Sequence, residues 1–201
     1  MSKWIYILDA GHGGINPSTG SYVTPGKRSP FWTDGTIYYE GVGNRQIVAL
    51  VTAKLQYLGI ETAETVYPEN HEDVGLSRRC QRANEFHAQS GKRGVLISVH
   101  SNAAESSSAH GFEVFTSPGQ TASDGFAKIW LEEHSKAFPA LRNRGHKEEH
   151  FTVLTKSNCP AILIETMFHT NESECRILMS EAGRCRIADA IVSAIVRIEK
   201  S

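Results

Sequence analysis

Apolar positions along this chain fall into short unbroken runs, separated by longer stretches with helical spacing. Trp4–Leu8 is an almost continuous apolar run that stops at Asp9 and then glycines, the pattern of a buried strand opening into a loop. Val95-Leu96-Ile97-Ser98-Val99 begins after Gly94 and ends at His100, and Ala161-Ile162-Leu163-Ile164 ends at Glu165. Both read as buried strands. Gly111–Thr116 alternates like a strand with one wetter face, Ile60–Val66 is a weaker strand, and Thr152-Val153-Leu154 reads as a brief one. Between these runs, Ile47, Val51, Leu55 and Leu58 recur at helical spacing, with Gly59 as the stop. Leu76–Ala88 is a polar helix bearing Arg78, Arg79 and Arg82, and a further helix is expected from Ser123, as its N-cap, to Ala137. Ile187, Ile191, Ile195 and Ile198 form the stripe of a last helix. Strands alternating with helices predict an α/β layered domain around a largely parallel sheet.

Gly11 to Tyr39 departs from this rhythm: it is rich in Gly, Pro, Ser and Thr, with Tyr22, Phe31 and Trp32 interspersed. A loop this long without its own periodicity is usually functional. No repeat, low-complexity tract or linker interrupts the chain, so residues 1–201 read as one domain. Such a length buries a core without covalent staples.

Composition removes several classes of function. Hydrophobic residues at 40% and charged residues at 21% exclude a disordered tail or a fibre. Lys+Arg 21 against Asp+Glu 22 leaves no basic excess for nucleic acid. No apolar run reaches the ~20 residues of a membrane span. Cys80, Cys159, Cys175 and Cys185 have neither zinc-motif nor disulfide-framework spacing and are expected to be reduced, packing thiols. The N-terminal residues lack the pattern of a signal peptide. Synthesis in the cytoplasm is therefore expected, with any action outside following release by another route.

The candidate chemistry lies where strands end. Asp9-Ala10-Gly11-His12, His100 and Glu165 each follow a buried run, and in α/β sheets the carboxyl ends of strands line the ligand crevice. Two histidines and a glutamate gathered there resemble a hydrolytic zinc site with an open fourth position. A single histidine at a strand end is more often a satisfied core residue, but a carboxylate following four apolar residues needs a partner or a purpose. Gly11-His12-Gly13-Gly14 continues poorly as a dinucleotide loop, because Pro17 follows where a helix would open. His146-Lys147-Glu148-Glu149-His150 spells H-x-x-E-H, but Pro139, Asn143 and Gly145 upstream leave no room for the helix that motif requires. A solvated, charged loop is expected there.

Four motifs in order resemble the zinc-dependent N-acetylmuramoyl-L-alanine amidases of the type 3 family: Asp9-Ala10-Gly11-His12-Gly13-Gly14, Glu40 with Asn44, Ser98-Val99-His100-Ser101-Asn102-Ala103, and Glu165-Thr166-Met167-Phe168-His169-Thr170-Asn171. Arg82-Ala83-Asn84 and Gly111-Phe112-Glu113-Val114 also sit where the family has similar stretches, so the likeness runs from residue 4 to about 198. It implies a three-layer α/β fold. It further implies that His12, Glu40 and His100 bind one Zn²⁺, that Glu165 is the catalytic carboxylate, and that the substrate is the peptidoglycan amide between N-acetylmuramic acid and L-alanine. Glu61, Glu64 and Glu69 are weaker choices than Glu40, since no suitable helix follows them. Asp9 is expected either to orient His12 or to cap the strand, and Asn102 to lie beside the site. Met167 stands where a glycine is common in the family, which places it at the pocket floor. Thr24–Pro30 resembles a loop of short, single-domain bacterial and phage amidases. Lys27 and Arg28 in it are expected to meet stem-peptide carboxylates while Tyr22, Phe31 and Trp32 line a groove; the bland alternative has these aromatics pinning the loop to the domain. No obligate protein partner is expected. Two rival readings remain: a glycosidase using Glu40 and Glu165, and a non-catalytic wall-binding or phage-structural module of the same fold.

Overall fold

The structure, a computed structural model, describes residues 2–200. The apolar runs become strands β1 (Ile5–Ala10), β2 (Thr62–Glu64), β3 (Gly94–Asn102), β4 (Phe112–Thr116), β5 (Asn143–Glu148) and β6 (Ala161–Phe168). They build one six-stranded sheet in the order β2-β1-β3-β6-β4-β5. β2, β1, β3 and β6 run parallel; β4 is antiparallel to β6, and β5 is parallel to β4. The helices are α1 (Glu40–Tyr57), α2 (Leu76–Gln89), α3 (Ser123–Ala137), the short α4 (Thr152–Thr155), α5 (Glu172–Met179) and α6 (Glu181–Lys200).

Strand parity divides the sheet into two faces. Tyr6, Leu8, Val95, Ile97, Ile162, Ile164, Phe112 and Val114 join Ile47, Val51, Trp130, Ile187 and Ile191 in the larger core, beneath α1, α3 and α6. Ile7, Leu96, Ala161 and Leu163 point the other way and meet Cys80 and Ala83 of α2 and Val153 and Leu154 of α4. This makes three layers. Continued toward the strand ends, the second parity carries Asp9, Ser98, His100, Glu165 and Glu113, so the sheet itself aligns the polar residues on one face. No helix among the described residues is long and apolar enough to cross a membrane.

Several local expectations are corrected. Thr152-Val153-Leu154 is helical rather than a strand: Val153 and Leu154 turn together into the smaller core beside α2. Residues 146–148, the first part of the 146–150 stretch expected as a loop, belong instead to the edge strand β5, drawn into the sheet by pairing with β4. Ser123 is not the cap of α3 but its first residue; Ala122 holds the cap position, while the Ser123 hydroxyl accepts a bond from the Ala161 amide (3.0 Å). Asn171 has a definite local role: its side chain accepts from the Glu174 amide (3.2 Å) and caps α5. Met167 is fully buried in the larger core and does not reach the pocket. Cys80, Cys159 and Cys175 are buried free thiols, and Cys185 is half-buried.

His134 of α3 gives the larger core a pH-sensitive element. Its ring lies 4.5 Å from Phe112, 4.7 Å from Trp130 and 4.9 Å from Phe138, with Nε2 3.2 Å from the Thr166 carbonyl. Burial pushes its pKa down to about 3, against the small opposing effect of that carbonyl. The folded state therefore favours the neutral ring. Its contribution is fully present above the unfolded value of about 6.5 and is lost as pH falls toward about 3, on the order of 1.4 kcal/mol per pH unit in that window. Melting temperature should fall between pH 6 and 4, and His134→Leu should make that slope shallower while lowering stability at pH 7. An unchanged slope in a thermal melt series would assign the acid sensitivity elsewhere.

Candidate active site

His12, Glu40 and His100 come from three separate segments and meet at the carboxyl ends of the strands. His12 lies two residues beyond β1, Glu40 is the first residue of α1, and His100 lies near the end of β3. One potential donor atom from each lies within 4.8 Å of the others. The buried Glu40 carboxylate faces both rings: Oε2 is 3.3 Å from His12 Nε2, and Oε1 is 3.1 Å from His100 Nδ1. The two imidazoles stand edge to face with centroids 5.0 Å apart. Burial works against charge on Glu40, but hydrogen bonding to His100 and His12 outweighs it and holds the carboxyl well below the usual range. The reverse argument applies to His100, where burial disfavours charge but Glu40 prevails and pushes the pKa up.

The glycines around these side chains have steric reasons. A Cβ on Gly11 would lie 2.1 Å from the His100 ring, and one on Gly41 would lie 2.0 Å from the Gly13 carbonyl oxygen. The β1 loop thus packs directly against both His100 and the start of α1. The Ser101 amide donates to Glu40 Oε1 at 3.2 Å, and the Ser101 hydroxyl meets Nδ1 of the buried His169 at 3.0 Å.

Asp9 does not touch the His12 ring. Its buried carboxylate accepts from Ser98 (2.6 Å), Arg79 (2.8 Å) and the Thr65 hydroxyl. Burial opposes that charge, and Arg79, Ser98 and Thr65 together more than offset it, leaving the pKa below normal. Any influence on His12 passes through Arg79, which also donates to the His12 carbonyl (2.9 Å). Asn102 points elsewhere too: its amide donates to Glu113 Oε1 at 2.6 Å. Glu113 is also bonded by Arg144 (2.7 Å) and by Lys147, both from β5, which tie down the edge of the sheet.

Glu165 lies opposite His100 in the β3–β6 register and opposite Glu113 in the β6–β4 register. Its Oε2 is buried with no hydrogen-bond partner. Burial pushes the Glu165 pKa up to about 8; the carboxylates of Glu40 and Glu113 add to the rise, while His100 and Lys27 oppose it. An ionisable oxygen with no protein partner, beside the His–Glu–His cluster, is available to exchange a proton with a bound molecule.

His12, His100 and Glu165, with Asp9 and Arg79, line a cleft of about 640 Å³. Lys27 borders it; Arg28 does not, because its guanidinium lies over Phe31 (4.9 Å) and bonds the Ser29 carbonyl. The loop aromatics divide. Tyr22 accepts from the Gly41 amide (2.9 Å), and Trp32 packs on the larger core, so both pin the loop; Phe31 is exposed. The opposite wall, which the sequence pattern did not indicate, comes from Val74 and Leu76 before and at the start of α2, and from His150, Phe151 and Val153 around α4. The H-x-x-E-H stretch therefore contributes only His150 to the lining, from the short connection between β5 and α4 rather than from a helix.

Known proteins resemble this chain along nearly its whole length. The N-acetylmuramoyl-L-alanine amidase family matches residues 7–197. The protein YqiI of Bacillus subtilis strain 168 is 28% identical over 96% of this chain and 83% of its own length. The endolysin of Bacillus phage SPP1 is 23% identical over 98% of this chain, which spans 66% of that protein's length. An N-acetylmuramoyl-L-alanine amidase structure from Clostridium difficile 630 superposes with a TM-score of 0.80 at 25% identity, covering 100% of this chain and 99% of that one.

Proposed function

From the premise that the chain belongs to the N-acetylmuramoyl-L-alanine amidase family, we propose that it hydrolyses the amide between N-acetylmuramic acid and L-alanine in peptidoglycan. The observation that carries this reading is the cluster of His12, Glu40 and His100 beside the unpartnered oxygen of Glu165. Two imidazoles and a carboxylate are a donor set suited to a hydrolytic Zn²⁺. Glu40 Oε2 stands 3.3 Å from His12 Nε2 and Glu40 Oε1 stands 3.1 Å from His100 Nδ1, and one donor atom from each residue lies within 4.8 Å of the others. His12, Glu40 and His100 would hold the ion, one per chain.

When bound, zinc polarises a carbonyl and acidifies water. The protein's own residues account for the proton transfers. Ionised Glu165 takes a proton from the attacking water as its oxygen adds to the amide carbon. It then returns that proton to the nitrogen as the C–N bond breaks, giving a lactyl carboxylic acid and a free L-alanine amine. A glycosidase reading needs Glu40 as a free acid or base, whereas both of its oxygens are engaged by histidines. A non-catalytic module does not need an unpaired buried carboxylate in a cleft. Mass spectrometry of digested muropeptides tests the proposal: sugar-free stem peptides with a new L-alanine amine support it, and cleaved glycan or intact muropeptides refute it.

Lys27 supports a stem-peptide contact on the loop side of the cleft. A partly solvated charge-assisted hydrogen bond contributes on the order of 1 kcal/mol, so Lys27→Gln should raise KM about 3- to 10-fold with little change in kcat or Tm. Arg28→Gln should leave KM unchanged, because Arg28 is occupied with Phe31. Equal effects from the two substitutions would place the contact wrongly.

A further inference from the structure

His12 is one of two non-glycine residues with positive φ among those described, at 65°. A side-chain-bearing residue keeps that conformation only where its surroundings impose it. What imposes it here is a pair of buried arginines. The His12 carbonyl accepts from Arg45 Nη1 at 2.8 Å and from Arg79 Nη2 at 2.9 Å.

Arg45 also joins the two metal-binding segments. Its Nη1 donates to the Gly41 carbonyl (2.9 Å), next to Glu40 and one helical turn before Arg45 itself. Its Nε donates to Asn70 (2.9 Å) and its Nη2 to Glu72 (3.1 Å), both backbone carbonyls. Among the described residues no carboxylate stands within ion-pair distance of Arg45, although only 5% of it is exposed. Burying a guanidinium without a counter-charge is unfavourable, and a core would gain nothing from it over an apolar side chain. Arg79 approaches from the other side. It spans Asp9 (2.8 Å), the Ala10 carbonyl (2.6 Å) and the Val74 carbonyl (2.6 Å), and so ties the end of β1 to the wall before α2.

We infer that Arg45 and Arg79 are positioning residues for the metal: they lock the left-handed His12 peptide and set its distance from Glu40. The inference rests on the reading of His12, Glu40 and His100 as zinc ligands. A lysine keeps the charge but cannot span several carbonyls at fixed angles, so substitution should loosen the donors without removing any.

The experiment is a zinc titration of metal-free protein against a chromophoric chelator, at a temperature well below melting, for the unmodified chain, Arg45→Lys and Arg79→Lys. Loss of groups that orient metal ligands typically weakens affinity 10- to 100-fold, and that weakening is expected for both variants, with far-UV circular dichroism unchanged and one zinc still bound at saturation. Ile191→Val, on the core-facing side of α6, reports how far general destabilisation moves the affinity; it should leave zinc binding within about twofold. If both lysine variants melt lower yet bind zinc as tightly as the unmodified chain, the arginines are only structural and the inference is wrong. If the unmodified chain binds no zinc, the ligand assignment itself fails, and this inference with it.

Discussion

Glu165→Gln is expected to slow peptidoglycan hydrolysis by ~10²–10⁴-fold while the chain keeps one zinc. Glutamine preserves the size and hydrogen-bonding reach of the side chain but cannot accept the water proton. The three donors are untouched, and Glu165 Oε2 has no protein partner whose loss would disturb the fold. The pH dependence follows from the same environment. Burial raises Glu165 to about 8 in the metal-free protein, and a dication at the adjacent cluster shifts it downward. A base works only when ionised, so kcat/KM should rise with pH through an apparent pKa below about 8, and that acid limb should vanish from the residual activity of Glu165→Gln. Activity retained in the variant would refute the proposed role. Loss of its zinc would make Glu165 a ligand.

The parts of this site that the sequence made legible are those that end apolar runs. β1, β3 and β6 are buried on both faces, so their hydrophobic runs are nearly continuous, and the polar residues that break them, Asp9, Ser98 with His100, and Glu165, lie within the strands toward their carboxyl ends. His12, His100 and Glu165 were readable for that reason. Glu40 has no such local mark, because its position depends on a long loop folding back so that Gly41 rests on the Gly13 carbonyl; only resemblance to a family pointed to it. β5 was missed since Asn143-Arg144-Gly145-His146-Lys147-Glu148 contains no apolar side chain. An edge strand is commonly charged, and this one is held by strand pairing and by Arg144 and Lys147 bonding to Glu113. Thr152-Val153-Leu154 reads as a strand because Thr152-Val153 favours strands locally, while packing of Val153 and Leu154 beside α2 decides for the helix α4. Arg79 appeared as one cation of a polar helix; nothing in a hydrophobic pattern distinguishes a solvated arginine from one that holds a loop.

Removing the metal should abolish hydrolysis and leave most of the helical circular dichroism, since both cores form without any contribution from the His–Glu–His cluster. Rebinding is linked to protons. In the metal-free protein the Glu40 carboxylate holds the His100 pKa above its ordinary value, so below that value a proton occupies the site and must leave before zinc enters. Apparent zinc affinity should therefore weaken as pH falls, by about tenfold per unit for each proton displaced, and level off once pH exceeds the raised His100 value. His12→Ala removes one of three donors and should lose both zinc and hydrolysis at every pH, unlike Glu165→Gln, which loses only the second. A chelator titration from pH 8 to 5.5, read alongside activity and elemental zinc, tests the linkage. Zinc affinity that stays flat across that range means that no proton competes at His100. Lysis that persists in excess chelator, with zinc absent, means that the cluster is not the catalytic metal site.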